Sequence, residues 1–374
     1  MNTVQYTSYE FSTKALRIGL ALLLLFLGTP NLPAENFTNL LREATCACAR
    51  QNYEQALNFY NQAVELETNN FLAYVGRGAA YIHVGQTGKA EADYNKAINL
   101  PTNNIPLSYA YLNRGYFYLQ VTNSEKAVDD FSKAIQINPS FQSAYAQRAF
   151  AYNSQNRYDL SVIDCNMAIL LNPDDVQAYR LKGDAFVGKR DYRRAIEAFS
   201  KAIELDTNFA WTFETRAFAY FSNEDNPHAI KDFDKLIQLQ PTNAVAFSCR
   251  GLAKSRNGDF KGGIEDCRKG VMLDTNCDVA FNNLAWLLAT APKSKLRDGQ
   301  KAVEYAKRAC ELDSWKNPYY LGTLAAANAE IGNFDEAVKW ERKCIIIGFP
   351  EKEMQQARKE LNLFESKKPY HADK

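Results

Sequence analysis

Histidine is nearly missing from this chain. Three occur in 374 residues, His83, His228 and His371, and none has a second histidine three or four positions away. That spacing sets two imidazoles on one helix face around zinc, so a centre of that kind is excluded. The loops G-x-x-x-x-G-K-[ST] and G-x-G-x-x-G are also missing, as is the G-x-S-x-G turn that exposes a nucleophilic serine. Nothing therefore marks a nucleotide site or a hydrolase nucleophile, and no cofactor is expected. Charge of one sign never accumulates: 44 basic and 43 acidic residues leave a net charge of +1. Such a balance lacks the electrostatic footprint that a phosphate backbone requires, so no nucleic-acid partner is expected.

Cysteine is present eight times but never as C-x-x-C. Cys46 and Cys48, two apart on a helical segment, point away from each other. Cys165, Cys267 and Cys344 fall where small apolar residues belong on a helix and read as buried thiols. Cys277 lies between helical segments and is expected to be the exposed thiol. Neither a disulfide framework nor a metal site is read from these residues.

What the chain does have is a beat of 34. A basic residue returns at Arg114, Arg148, Lys182, Arg216 and Arg250. Aromatics return at Tyr111, Tyr145, Tyr179, Phe213, Phe247 and Phe281, and again at Tyr118, Tyr152, Phe186 and Tyr220. Pro139, Pro173 and Pro241 keep the same time. A fixed period of this length means stacked small units rather than one globular core. In residues 142–175, Tyr145, Ala149 and Tyr152 make one helical stripe. Tyr158, Val162, Cys165 and Ala168-Ile169 make a second, and Gln155-Asn156-Arg157 breaks the two apart. Asn172-Pro173-Asp174 ends the unit, since proline cannot continue a helix. Each unit is thus a pair of short antiparallel helices, and neither is stable in water until it stacks. The recurring arginines read as bridges between neighbouring helices, with Asp and Glu nearby.

The units fall at 37–70, 71–104, 108–141, 142–175, 176–209, 210–243 and 244–277. The extra Ile105-Pro106-Leu107 is expected to lengthen one turn. A further unit starts at Asp278, its second helix (Lys301–Leu312) delayed by Pro292-Lys293-Ser294-Lys295. The last starts near Pro318. Residues 350–374 read as a closing helix and tail, with Met354, Ala357, Leu361 and Phe364 as the inner stripe. Residues 35–70 read as a degenerate N-terminal repeat or cap, and 71–349 as the array. In 244–277, Lys254 replaces an aromatic and Gly263 and Gly270 replace alanines, which predicts the softest point of the stack.

The pattern resembles the tetratricopeptide repeat (TPR). Residues 108–141 match it at Tyr111, Gly115, Tyr118, Ala127, Phe131, Ala134 and Pro139. Residues 176–209 match at Tyr179, Gly183, Phe186, Ala195, Phe199 and Ala202, with Thr207 in place of proline. The resemblance implies an all-α fold: a right-handed α-α superhelix of about nine helix-turn-helix repeats with a C-terminal capping helix. It also implies that positions 2, 5, 9, 12 and 13 of each unit look into a groove. Position 9 supplies Tyr116, Phe150, Asp184, Phe218 and Trp286, while positions 2 and 12 supply Trp211 and Phe221. The expected site is a groove for an extended or helical segment with apolar anchors, oriented by Arg180, Asp184, Glu214 and Asn282. The alternative, that these rings pack against the next repeat, stays open. The family's carboxylate clamp is not carried over, since only Asn113 suits it.

Residues 18–27, Ile-Gly-Leu-Ala-Leu-Leu-Leu-Leu-Phe-Leu, follow Lys14 and Arg17 and precede Gly28-Thr29-Pro30. Residues 1–34 accordingly read as a signal peptide, with an uncleaved short membrane anchor as runner-up. The protein is then exported or membrane-anchored. The function expected is a non-enzymatic scaffold for other proteins or peptide segments. Two alternatives are a recognition or regulatory subunit of an enzyme complex and a self-associating envelope protein.

Overall fold

The computed structural model describes residues 32–101 and 103–372. The apolar run 18–27 lies outside them. Nineteen α-helices and one 3-10 turn, with no strand among the described residues, fall into two compact units, the chain dividing between Arg190 and Asp191. The first unit contains α1 (Leu32–Ala49), α2 (Tyr53–Leu66), α3 (Phe71–His83), α4 (Thr87–Ile98), α5 (Asn104–Gln120), α6 (Ser124–Ile137), α7 (Gln142–Ser154), α8 (Tyr158–Leu171) and α9 (Val176–Gly188). The second contains α10 (Tyr192–Leu205), α11 (Ala210–Ser222), α12 (Asn226–Leu239), α13 (Ala244–Arg256), α14 (Phe260–Leu273) and α15 (Asp278–Thr290). The 3-10 turn Ser294–Leu296 follows, then α16 (Gly299–Leu312), α17 (Pro318–Glu330), α18 (Phe334–Ile347) and α19 (Glu351–Glu365).

Within each unit, successive helices pack as antiparallel hairpins. First helices of neighbouring repeats also touch, α3 to α5 and α7 to α9 in one unit, α13 to α15 and α15 to α17 in the other. The first helices therefore form the inner side of each unit. Small residues let the second helices pack closely: Ala90, Ala97, Ala127, Ala134, Ala195 and Ala202 are fully buried, with Phe131 and Phe199 filling the space between helices.

The periodic arginines hold each hairpin closed. Arg77, Arg114, Arg148, Arg216 and Arg250 donate paired bonds to Asp93, Asp130, Asp164, Asp232 and Asp266, always sixteen residues on, at 2.7–2.8 Å. The remaining nitrogen reaches back to the previous repeat, to Asn61, Asn95, Ser132, Ser200 and Asp234. Each guanidinium also lies over the aromatic three residues before it, as Arg114 lies over Tyr111. In four repeats a second ring, four residues after the arginine, flanks it too, as Tyr118 does. Tyrosine, arginine, tyrosine and aspartate are thus one module. In 176–209 Lys182 and Ala198 occupy the arginine and aspartate positions, so both residue types are lost together.

The break between the two helices of a hairpin is equally regular. Gln51, Gly85, Thr122, Asn156, Arg190, Glu224, Gly258 and Gly332 each hold the same register position with φ between 59° and 92°. The next residue caps the second helix in many repeats, as Asn123 does by accepting from the Lys126 N–H. Such a cap satisfies one orphan donor of the first turn.

Two expectations need correcting. Ile105-Pro106-Leu107 does not lengthen a turn; it extends α5 at its N-terminus. Proline is tolerated there because the first-turn N–H groups have no intrahelical partner. The glycines of 244–277 are not slack positions. A Cβ on Gly263 would lie 2.5 Å from the Gly251 carbonyl oxygen, and one on Gly270 would lie 2.8 Å from that of Ala244. They allow α13 and α14 to pack backbone to backbone, and Lys254 adds a bond to Asp266 at 2.9 Å.

The closing helix α19 buries Ala357 and Phe364, with Met354 and Leu361 half-buried. It also buries Glu360 against Glu341 of α18, a carboxylate that stands where most other repeats place an aromatic or a cysteine.

Candidate functional site

In the first unit the expected groove residues divide. Tyr116 is 5% exposed and meets Phe131 edge-on at 5.9 Å, so it belongs to the core of its hairpin and is not a groove anchor. The α5 backbone turns its ring down onto α6, in keeping with the alternative of packing between helices. Phe150 is half-buried against Ala149, Cys165 and Leu181. Arg180 is buried, at the limit of accessibility, and Asp184 is half-buried one turn further along α9. Burial pushes the Asp184 carboxyl up, with the Arg180 charge working against the shift. The two residues place a charged pair on the inner side of α9.

In the second unit α11 presents a run of rings. Phe218 is 39% exposed and lies edge-on to Phe233 at 5.6 Å. Trp211 and Phe221 are half-buried one to two turns away on the same helix, and Glu214 between them is pushed up by burial. Phe221 is capped by the guanidinium of Arg256, 4.0 Å from the ring centroid. On α15, Asn282 donates to Asn283 at 3.3 Å, while its own Oδ1 is buried without a hydrogen-bond partner.

Trp286 is not an open anchor either, for a reason the register did not contain. The chain beyond α19 returns to this face. The Lys367 and Lys368 N–H groups bond to Phe364 and Leu363, with Lys367 at φ 55°, and Pro369 follows. Tyr370 then lies against Trp286, ring centroids 5.7 Å apart, on a floor of Ala325, Ala326 and Ala329. His371 Nε2 sits 2.7 Å from Glu330 Oε2, whose other oxygen accepts from Arg297 Nε at 2.7 Å. The Ala372 N–H donates to the Thr290 carbonyl at 2.8 Å. Burial pulls the Arg256 guanidinium down, while charge interaction with Glu224 and Tyr370 works against that shift.

Sequence reasoning missed Arg256, Thr290 and Glu330. All three hold position 13 of their repeats, one of the inward positions, and reading that position down the array would have found them. No register could have placed the tail, because it lies outside the repeat. Cys277, expected to be exposed, is 6% exposed at the N-terminus of α15. All eight cysteines are free thiols, and Cys46 alone is not buried. His83 is exposed at the end of α3 and stacks on Tyr53 at 4.2 Å, and partial burial lowers its basicity.

A family model described as tetratricopeptide repeat matches residues 72–104, 108–141 and 176–209. The chain is 32% identical over 75 residues to a tetratricopeptide repeat and J domain-containing co-chaperone of Fusarium oxysporum f. sp. lycopersici, covering 20% of this chain and 14% of that protein. It is 27% identical over 82 residues to sperm-associated antigen 1 of Rattus norvegicus, covering 22% and 9%. The chain therefore spans only a small part of either relative. Among solved structures, the C-terminal part of a TPR repeat-containing protein from Cytophaga hutchinsonii is 17% identical with a TM-score of 0.51, covering 65% of this chain and 99% of that one. The Cut9–Hcn1 hetero-tetramer of the APC/C is 12% identical with a TM-score of 0.50, covering 98% and 90%. At these identities the likeness is one of fold.

Proposed function

We propose that this chain, whose repeats match the tetratricopeptide-repeat model, is a non-enzymatic scaffold whose inner helix faces hold apolar segments of partner proteins. The repeats themselves suggest a protein–protein interaction scaffold. The observation that carries the finer reading is Phe218, a large ring 39% exposed on the first-helix side of its unit, between Trp211 and Phe221. Exposed aromatics clustered on one face are costly without a cover and are the usual anchors of interfaces. Glu214 supplies a polar group beside them.

The test is a displayed library of short peptides selected on the full chain. Sequences with apolar anchors should be enriched, and the paired substitution Trp211→Ala with Phe218→Ala should weaken them by about tenfold or more, since anchor residues typically carry over 1 kcal/mol each. Equal binding by a variant of unchanged helicity would move the site off this face.

We further propose that residues 1–34 direct export or membrane attachment. The basic flank and short apolar run support this reading. Fractionation of cells expressing the chain with and without those residues tests it, and identical soluble, unexported material from both would overturn it.

A further inference from the structure

The returning tail makes contacts of a kind that a bound peptide would make. Tyr370 inserts a ring against Trp286, the next side chain meets a carboxylate, and the next backbone N–H meets a carbonyl. These contacts use inward positions of two neighbouring first helices, α15 and α17. Glu330 is held ready for such a contact. Arg297 bonds to one of its oxygens, and both side chains are 15% exposed, so the other oxygen points at a fixed place. On α17, Ala326 and Ala329 stand at inward positions where α11 carries Phe218 and Phe221, leaving room for an incoming ring.

We propose that Tyr370-His371-Ala372 is a built-in pseudo-ligand, and that this face takes an extended partner segment carrying an aromatic residue followed by a histidine or other basic side chain. The inference rests on the scaffold reading and gives that reading a ligand chemistry and a brake. The aromatic is selected by Trp286 and the alanine floor. The following basic group is selected by the Glu330 carboxylate, and an acidic one is rejected there. The Thr290 carbonyl asks for a backbone N–H, which favours an extended segment, since the interior N–H groups of a helix are already bonded. A partner must first displace the tail, so its apparent affinity is reduced by the fraction of chains in which the tail is docked.

The experiment uses the full chain and a fluorescent, end-blocked peptide of residues 366–372. The unlatched variant Tyr370→Ala/His371→Ala should bind this peptide about tenfold or more tighter than the wild type, because its own tail no longer competes. Adding Trp286→Ala or Glu330→Gln to the unlatched chain should abolish the gain, and a peptide with Asp in place of the histidine should bind worst. Equal binding by wild-type and unlatched chains of matched helicity would overturn the proposal. So would a gain that survives both groove substitutions. The library peptides that depend on Trp211 and Phe218 report separately. If they bind while tail release changes nothing, the scaffold reading stands and the pseudo-ligand fails. If none binds while the tail peptide behaves as expected, the Trp211 and Phe218 anchors fail and the tail-covered face stands as the binding site.

Discussion

Arg114 and Asp130 stand sixteen residues apart and meet across one hairpin, Nε to Oδ2 at 2.8 Å and Nη2 to Oδ1 at 2.7 Å. Burial pushes the Asp130 carboxyl up even with the guanidinium bonded to it, so part of the attraction is offset by desolvation. Such a pair is expected to fix the register of the two helices more than to add stability. Either single change, Arg114→Met or Asp130→Leu, is expected to cost about 2–4 kcal/mol by stranding the other charge. The double change should cost much less than the sum. A double-mutant cycle followed by urea unfolding measures this, and additive costs would show that the two side chains are not coupled.

Thr122 holds φ at 59°, a left-handed conformation that a β-branched residue resists. Gly85, Gly258 and Gly332 occupy the same register position in other repeats. Thr122→Gly is therefore expected to stabilise the chain by about 1 kcal/mol, the relieved strain exceeding the added chain entropy. A lower thermal midpoint for the variant would refute this.

Gly263→Ala should do the opposite of what helix propensity alone suggests. Propensity favours alanine by about 0.5–1 kcal/mol. The new Cβ, however, meets the Gly251 carbonyl oxygen at 2.5 Å and forces α13 and α14 apart. Overpacking of this kind costs about 1–3 kcal/mol. Amide exchange in both helices should accelerate, and unchanged or slower exchange would restore the expectation of a soft repeat.

The thiols give a direct check on burial. Of the eight, Cys46 alone is not buried, while Cys277 is 6% exposed and burial raises the pKa of its thiol. A maleimide added to native protein is expected to label Cys46 quickly and the other seven only after denaturant, as thiolate character and access govern reactivity. Mass spectrometry of the labelled peptides decides it, with early labelling at Cys277 as the contrary result.

The C-terminal cap should loosen as pH rises from the acid range to about 8. Glu341 is 1% exposed, its Oε2 lacks a hydrogen-bond partner, and burial followed by the neighbouring Glu360 pushes its carboxyl up to about 8. Burial also raises Glu360, against its bond from Gln356, and Cys344 is the other titratable group alongside. The folded value lies above the ordinary 4.5. The contribution is therefore fully present below about pH 4.5 and is lost as pH rises through about 8. Amide protection in α19, corrected for intrinsic exchange, should fall progressively between about pH 4.5 and about pH 8 and level off above it. Glu341→Gln should remove that slope, and a flat wild-type profile would contradict the assignment.

The 34-residue beat by itself determined the helical hairpins, their order and the bridging role of the arginines, and the apolar stripe of residues 354–364 determined the closing helix. Each of these is local: a helix stripe, a proline stop or a partner sixteen residues away recurs wherever the register recurs. Tyr116 and the glycines near Gly263 were misjudged because exposure depends on how closely two backbones approach, and a one-dimensional pattern does not carry that distance. Ile105-Pro106-Leu107 was misplaced because a turn and an added first helical turn make the same break in register. Only the tertiary structure decided what covers Trp286 on the inner face of the second unit. Tyr370, His371 and Ala372 lie 84, 41 and 82 residues beyond the groups they meet on Trp286, Glu330 and Thr290. Such contacts follow from where α19 ends and how the chain turns at Lys367, and no period in the sequence encodes them.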